Sequence, residues 1–309
     1  MIEVGKVKID DSLYAGRDLY TEGPIEDMML EIAKTIPPGE YNAEIERRRE
    51  WPILYHFSHL RENIVLTIPI SRKDKILEIG AGCGAITGAL ARRGASVHAI
   101  ELSMKRSMIN AHRNNEKENL KISVGNFEDI EKSLTVKYDL ITLIGVFEYG
   151  AAFISTDTPY VDWLKMCKKH LSENGKIVIA IENKYGLKYF AGSKEDHTGR
   201  YFEGIEGYRN SSNVRTFGKD ELTNLIHEAG FERITYYYPY PDYKFPLKLF
   251  SDDFLPNPME LSMNNLNFDN ERIQLFDETM AFQEIVKDNL FPFFSNSFLV
   301  MIEGELHEQ

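Results

Sequence analysis

Thiols, positive charge and long apolar runs are all scarce in this 309-residue chain, and each shortage excludes something. The two cysteines, Cys83 and Cys167, are too few for a disulfide framework or a cysteine metal cluster, so no metal is expected and a reducing cytoplasm suits the chain. No apolar run approaches the ~20 residues that span a bilayer, and the opening Met-Ile-Glu-Val-Gly-Lys lacks the basic-then-apolar pattern of a secretion signal. Lys and Arg number 36 against 48 Asp and Glu, a formal charge of −12. Such a molecule repels a phosphate backbone at long range, which argues against nucleic acid as a partner. The run Arg47-Arg48-Arg49 is flanked by Glu44, Glu46 and Glu50 and reads as a solvated helix face.

What is present is ample core, 43% apolar and 12% aromatic residues, enough for one enlarged α/β domain. Its most informative stretch runs from Lys75 to Ala91. Ile76 to Ile79 is short and apolar, as a buried strand would be, and is followed by glycines at 80, 82 and 84 and then by a helix-forming segment. Strand, glycine turn and helix together bring backbone N–H groups close to a nucleotide-like ligand. Gly80-x-Gly82-x-x-Ala85 also satisfies the dinucleotide fingerprint, so NAD competes with S-adenosylmethionine. Glu78 tips the choice. A carboxylate two residues before the first glycine gains nothing beside a pyrophosphate and suits the cationic amino-acid end of S-adenosylmethionine. Glu101, closing the strand that begins at Ser96, is spaced to accept hydrogen bonds from ribose hydroxyls in either ligand.

Leu77-Glu78-Ile-Gly80-Ala81-Gly82-Cys-Gly84, followed by Ile100-Glu101-Leu102, resembles the first two motifs of the class I S-adenosylmethionine-dependent methyltransferases. The resemblance implies a Rossmann-like, doubly wound seven-stranded sheet with an antiparallel last strand. It implies S-adenosylmethionine as cofactor and S-adenosylhomocysteine as product, with Gly80, Ala81, Gly82, Glu101 and Leu102 around the cofactor and Glu78 supporting its methionine end. Arg61, just before the first strand, is a further candidate for that end. After the third strand, Asn126 and Phe127 match the places that bind adenine. By themselves, an Asn-Phe pair after a strand equally describes a capped turn with a core aromatic. The apolar run Tyr138 to Gly145 reads as a central strand whose carboxyl end meets the ligand crevice, which adds Gly145 to the cofactor residues and places Glu148 beside the transferred methyl group. The helix beginning at Tyr160 is expected to stop at Asn174-Gly175 in a left-handed turn.

Residues 1–60 read as an N-terminal helical arm, irregular over its first 40 residues, that either folds over the cofactor or clasps the sheet. Residues 61–304 read as the methyltransferase domain, interrupted by insertions at 184–215 and 241–295. The first insertion carries Glu195-Asp-His197-Thr-Gly and reads as a lid or acceptor-binding loop. If the acceptor is a hydroxyl, the candidates for its base are Glu148 and His197, the latter beside two acids that could raise its basicity. The segments Asn183 to Gly192, Glu195 to Gly199 and Pro239 to Pro258 resemble methyltransferases of bacterial surface-glycan synthesis. That implies a small molecule or glycan precursor as acceptor and O-methylation as the reaction. Two other functions stay open, an NAD-dependent oxidoreductase or epimerase, which lacks a visible Tyr-x-x-x-Lys pair, and a non-catalytic cofactor-binding partner. No motif speaks to oligomeric state.

Overall fold

The computed structural model describes residues 1–210, 213–263 and 271–304, so the parts of the two expected insertions at 211–212 and 264–270 lie outside the described residues. Ten strands are described: β1 (Ile2–Val4), β2 (Val7–Asp10), β3 (Lys75–Ile79), β4 (Ser96–Glu101), β5 (Leu120–Val124), β6 (Tyr138–Ile144), β7 (Leu171–Glu182), β8 (Arg233–Tyr240), β9 (Lys248–Ser251) and β10 (Ser297–Glu303). The chain divides into two compact units. Among the described residues, the first comprises 1–143 and 166–177, and the second those of 144–165 and 178–304.

In the first unit the strand order is β1-β2-β5-β4-β3-β6, with the opening half of β7 next. Strands β2, β5, β4, β3 and β6 run parallel, and β1 pairs antiparallel with β2. Parallel strands covered on both faces have to be apolar along their length. Ile76, Leu77, Val97, Ala99, Leu140, Ile141 and Leu143 accordingly lie in the core, each large aliphatic side chain contributing ~1.5–3 kcal/mol on burial. In the second unit the closing half of β7 is followed by β10, β8 and β9, with β10 antiparallel to β8 and β8 antiparallel to β9.

Ten strands replace the expected seven. The three additions are β1 and β2, which extend the first unit's sheet beside β5, and β9, which pairs with β8. Residues 2–10, expected within a helical and irregular arm, thus pair as strands, because Val7 and Ile9 alternate with polar residues and are fully buried. The expected glycine stop at 175 is also replaced. The helix Pro159–Lys169 ends before β7 begins at Leu171. Gly175 instead permits close approach, since a Cβ there would meet the Tyr138 carbonyl oxygen at 2.8 Å.

Residues 25–57 form the helices Ile25–Thr35, Tyr41–Arg48 and Trp51–Phe57. Left-handed Arg49, at φ 55°, separates the last two. Met29, Ile32, Tyr41, Ile53 and Phe57 form one cluster with Cys83 of the glycine turn and Ile109 of the helix Met104–Arg113. The N-terminal segment therefore clasps the glycine turn. One ion pair inside this clasp is sealed from water: Arg106 Nε donates to Glu26 Oε1 at 2.8 Å, and both side chains are buried. Arg106→Ala would leave Glu26 with only the Thr21 hydroxyl and the Glu22 N–H. Removing one partner of a buried pair typically costs ~3–5 kcal/mol, so urea unfolding of Arg106→Ala should show a loss in that range. A loss below ~1 kcal/mol would mean that this ion pair adds little to the clasp.

Candidate active site

The first unit places a glycine turn at the carboxyl end of β3 and an acid, Glu101, at that of β4. Gly80, Gly82 and Gly84 all take left-handed conformations, at φ 73°, 52° and 78°. Glycine alone adopts these without a Cβ penalty. The helix that follows, Thr87–Arg93, has only seven residues, so the turn itself has to supply most of the ligand-facing backbone. Its N–H groups are already partly committed. Gly80 and Ala81 donate to the Ile100 carbonyl at 2.9 and 3.0 Å, and Gly82 donates to Glu101 Oε2 at 2.8 Å. Arg113 Nη1 braces the turn from below through the Cys83 carbonyl at 3.2 Å and the His56 carbonyl at 2.6 Å. A Cβ on Gly84 would strike Asn110 Oδ1 at 2.3 Å, whereas one on Gly82 would meet nothing within 4 Å. The turn is therefore packed on one side and open on the other.

Glu101 is buried, with Oε1 accepting the Ser103 N–H at 3.0 Å. An ionised carboxylate can accept about four hydrogen bonds, so capacity remains for a ligand's hydroxyls. Glu78 is also buried, and its Oε2 has no hydrogen-bond partner. Desolvation pushes its pKa up to about 8, with the nearby Glu101 charge adding to the rise and a hydrogen bond with Thr87 opposing it. A cationic group beside Glu78 would restore its charge, so these residues fit the ammonium and ribose of S-adenosylmethionine.

Arg61 is buried and donates from Nη2 to the Tyr55 hydroxyl at 3.1 Å, its guanidinium 4.2 Å from the centre of the Tyr55 ring. Asn126 caps the short helix Phe127–Ile130, accepting the Glu128 N–H at 3.2 Å, and Phe127 is buried. That is the geometry of a capped turn with a core aromatic. Leu102 directly follows Glu101 in the chain.

Gly145, Glu148 and His197 belong to the second unit. Gly145 has φ 65° and lies against Tyr243, whose hydroxyl would be 2.7 Å from an added Cβ. Glu148 sits in the turn after β6, its neighbour Phe147 anchored among Tyr160, Trp163 and Phe217. Glu148 and His197, 49 positions apart in the chain, come together: His197 Nε2 is 3.4 Å from Glu148 Oε1. The imidazole Nδ1 lies 3.0 Å from Glu195 Oε1, and Glu195 Oε2 accepts the N–H groups of His197 and Thr198 at 3.0 and 2.7 Å. Burial alone would lower the imidazole's pKa, but its bonds to Glu148 and Glu195 outweigh this and hold it well above the usual value.

Sequence reasoning did not single out Glu182, Lys188 or Lys244, which with Asp196 complete this cluster. Lys188 Nζ lies 2.8 Å from Asp196 Oδ2, Lys244 pairs with Asp196 Oδ1, and Lys244 Nζ is 3.1 Å from Glu182 Oε1. Burial would raise the Asp196 pKa, but the two lysines hold it well below the usual range. The acids beside His197 were a visible signal. Lys244, 48 residues beyond Asp196, gave none. Asn183 has a structural task, donating from Nδ2 to the carbonyls of Phe293 and Ser295 at 2.7 and 2.8 Å.

Residues 47–236, more than half of the chain, match a methyltransferase domain family, and the chain belongs to that family. Among solved structures it is similar to a SAM-dependent methyltransferase of Thermotoga maritima described as a possible histamine N-methyltransferase. They share 14% identity over 90% of this chain and 100% of that one, with a TM-score of 0.45. It is also similar to phosphoethanolamine N-methyltransferase 1 of Haemonchus contortus, solved with phosphoethanolamine and S-adenosylhomocysteine, at 13% identity, 94% and 53% coverage and a TM-score of 0.49. A SAM-dependent methyltransferase of Archaeoglobus fulgidus matches at 12% identity, 90% and 99% coverage and a TM-score of 0.46. No curated protein matches the chain in sequence. Among the described residues, no helix is long and apolar enough to cross a membrane.

Glu78 also makes stability depend on pH. A carboxyl whose pKa is raised by folding keeps its proton in the folded chain after the unfolded chain has lost it, so stability falls as pH climbs from about 4.5 to about 8. Glu101, pushed up by burial as well, acts in the same direction. Unfolding free energies measured by urea across this window should therefore decline less steeply for Glu78→Gln than for the parent chain. An equal decline would mean that Glu78 is ionised in the folded protein.

Proposed function

We propose that the protein transfers a methyl group from S-adenosylmethionine to a hydroxyl of a small molecule or glycan precursor, releasing S-adenosylhomocysteine. The observation that carries the cofactor assignment is the open-sided glycine turn, its Gly82 N–H tied to Glu101 and the unpartnered oxygen of Glu78 buried in the same unit. Glu101 takes the ribose hydroxyls, and Glu78 takes the ammonium of the methionine end. Gly80, Ala81, Leu102, Arg61, Asn126, Phe127 and Gly145 complete the proposed cofactor set.

The reaction is an in-line displacement: the acceptor oxygen bonds to the methyl carbon as the sulfur–carbon bond breaks, and the acceptor's proton departs. Positioning supplies most of the rate in such a step, and a hydroxyl acceptor also needs a destination for its proton. We assign handling of that hydroxyl to the buried Glu148 and to His197 beside it. The net charge of −12 favours a small or glycan acceptor over nucleic acid. The glycan class itself rests on the resemblance of the segments around Asn183 and Glu195 to surface-glycan methyltransferases.

Calorimetric titration with S-adenosylmethionine, S-adenosylhomocysteine and NAD tests the cofactor. The first two should bind and NAD should not; binding of NAD alone would overturn the proposal. Loss of a charged hydrogen-bond acceptor costs ~1.5–3 kcal/mol, so Glu101→Ala should weaken S-adenosylhomocysteine binding about ten-fold or more. Because an ammonium favours ionised Glu78, binding below pH about 8 should release a proton, seen as a dependence of the heat on buffer ionisation. With an acceptor in hand, His197→Ala and Glu148→Ala should lose turnover at near-parental cofactor affinity. Full turnover in both would leave methyl transfer to alignment alone.

A further inference from the structure

Among the carboxylate oxygens of the second unit that are buried without a hydrogen bond, three belong to two neighbouring acids: Glu148 Oε2 and both oxygens of Glu182. Both side chains are 1% exposed. One ligating atom from each of Glu148, Glu182 and His197 can be chosen so that all lie within 4.8 Å of one another. We propose that these three residues form a binding site for one divalent first-row cation such as Mn2+, with Glu195 fixing the imidazole of His197 in its ligating orientation.

Four features of the cluster support this. Glu148 follows β6, Glu182 ends β7 and His197 stands in the inserted loop, so the donors come from three separate segments and converge at one point. Glu195 is built as an outer partner. One oxygen faces His197 Nδ1 at 3.0 Å and also accepts the Tyr208 hydroxyl at 3.2 Å, while the other is held by two backbone N–H groups. A carboxylate on Nδ1 keeps the proton there and leaves the Nε2 lone pair directed at the other two acids, as second partners of metal-bound histidines do.

Charge gives the third support. Glu148, Glu182, Glu195 and Asp196 bring four negative charges, and Lys188 and Lys244 return two. With a neutral imidazole, two negative charges remain, which is the charge of a divalent cation. A proton on His197 would cancel only one of them. Lys244 does not satisfy Glu182 by itself, since it stands 3.1 Å from Oε1, shares its charge with Asp196, and leaves Oε2 unpartnered. Fourth, two carboxylates and one imidazole are a mixed oxygen and nitrogen donor set, better matched to Mn2+, Fe2+ or Zn2+ than to Ca2+.

The site deepens the assignment of Glu148 and His197 to the acceptor, and only its role in turnover rests on that assignment. A bound cation would hold the acceptor hydroxyl and make its proton easier to remove. The test uses the full chain, stripped with a chelator and titrated with Mn2+ while the electron paramagnetic resonance signal of free Mn2+ is followed. Uptake of one Mn2+ per chain, displaced by Zn2+, is expected. Glu182→Gln, His197→Gln and Glu148→Gln should each weaken uptake by about ten-fold or more, and Glu195→Gln by a comparable factor through the imidazole. Retained S-adenosylhomocysteine affinity shows that a variant has folded. No uptake of Mn2+ or Zn2+ by the parent chain at millimolar concentration, or uptake unchanged in the folded variants, would overturn the site and identify the cluster as an ion network around a protonated His197. Cofactor titration is read separately, so loss of the cation site would leave methyl transfer standing, and the converse also holds.

Discussion

Carboxylates taken out of water shape both units of this protein. A buried acid must be given donors, a counter-cation or a proton, and the chain uses each remedy at a different place. Glu101 receives the N–H groups of Gly82 and Ser103, so the same interaction that satisfies the acid also tethers the glycine turn. Glu78 has too few donors and is driven toward the protonated form. Asp196 is neutralised by Lys188 and Lys244, and Glu195 is saturated by backbone and imidazole. Among the acids left short of partners, Glu78 in the first unit and Glu148 and Glu182 in the second are positions where a ligand's positive charge would be favourable.

Such positions hold only if the backbone around them cannot relax. In the first unit the hydrophobic clasp of residues 25–57 packs Cys83 from one side, and Arg113 grips the Cys83 and His56 carbonyls. In the second unit the inserted loop is pinned by buried amides. Asn183 holds the Phe293 and Ser295 carbonyls, and Asn296 accepts the Lys188 N–H at 3.0 Å while donating to the Pro241 carbonyl at 3.0 Å. Tyr208 closes the loop through Thr216 and Glu195. A segment rich in glycine, aromatic and ionisable residues is thereby ordered by polar side chains that no periodic pattern would have flagged.

The buried residues of the second insertion make the same point. Tyr240 and Tyr243 are buried, and Asp242 Oδ1 accepts the N–H groups of Lys244 and Phe245 at 2.9 and 3.2 Å. Asp242 thus forms the turn that presents Lys244 to Glu182 and Asp196, a role that depends on contacts remote in sequence.

The parallel strands, the glycine turn and the acid that closes β4 were legible in the sequence, because each depends on residues within a few positions or on an apolar pattern, whereas the bond from the Gly82 N–H to Glu101 was not. Strands β1, β2 and β9 were not, since a strand of three or four residues carries almost no pattern and is fixed by its neighbour. His197 and Glu148 were visible singly. Their meeting with Glu182, and the sharing of Lys244 between Glu182 and Asp196, required residues 15 to 62 positions apart to fold onto one another. Local chemistry wrote the turn and its acid into the sequence; the charge balance of the second cluster exists only once tertiary packing has excluded water from it.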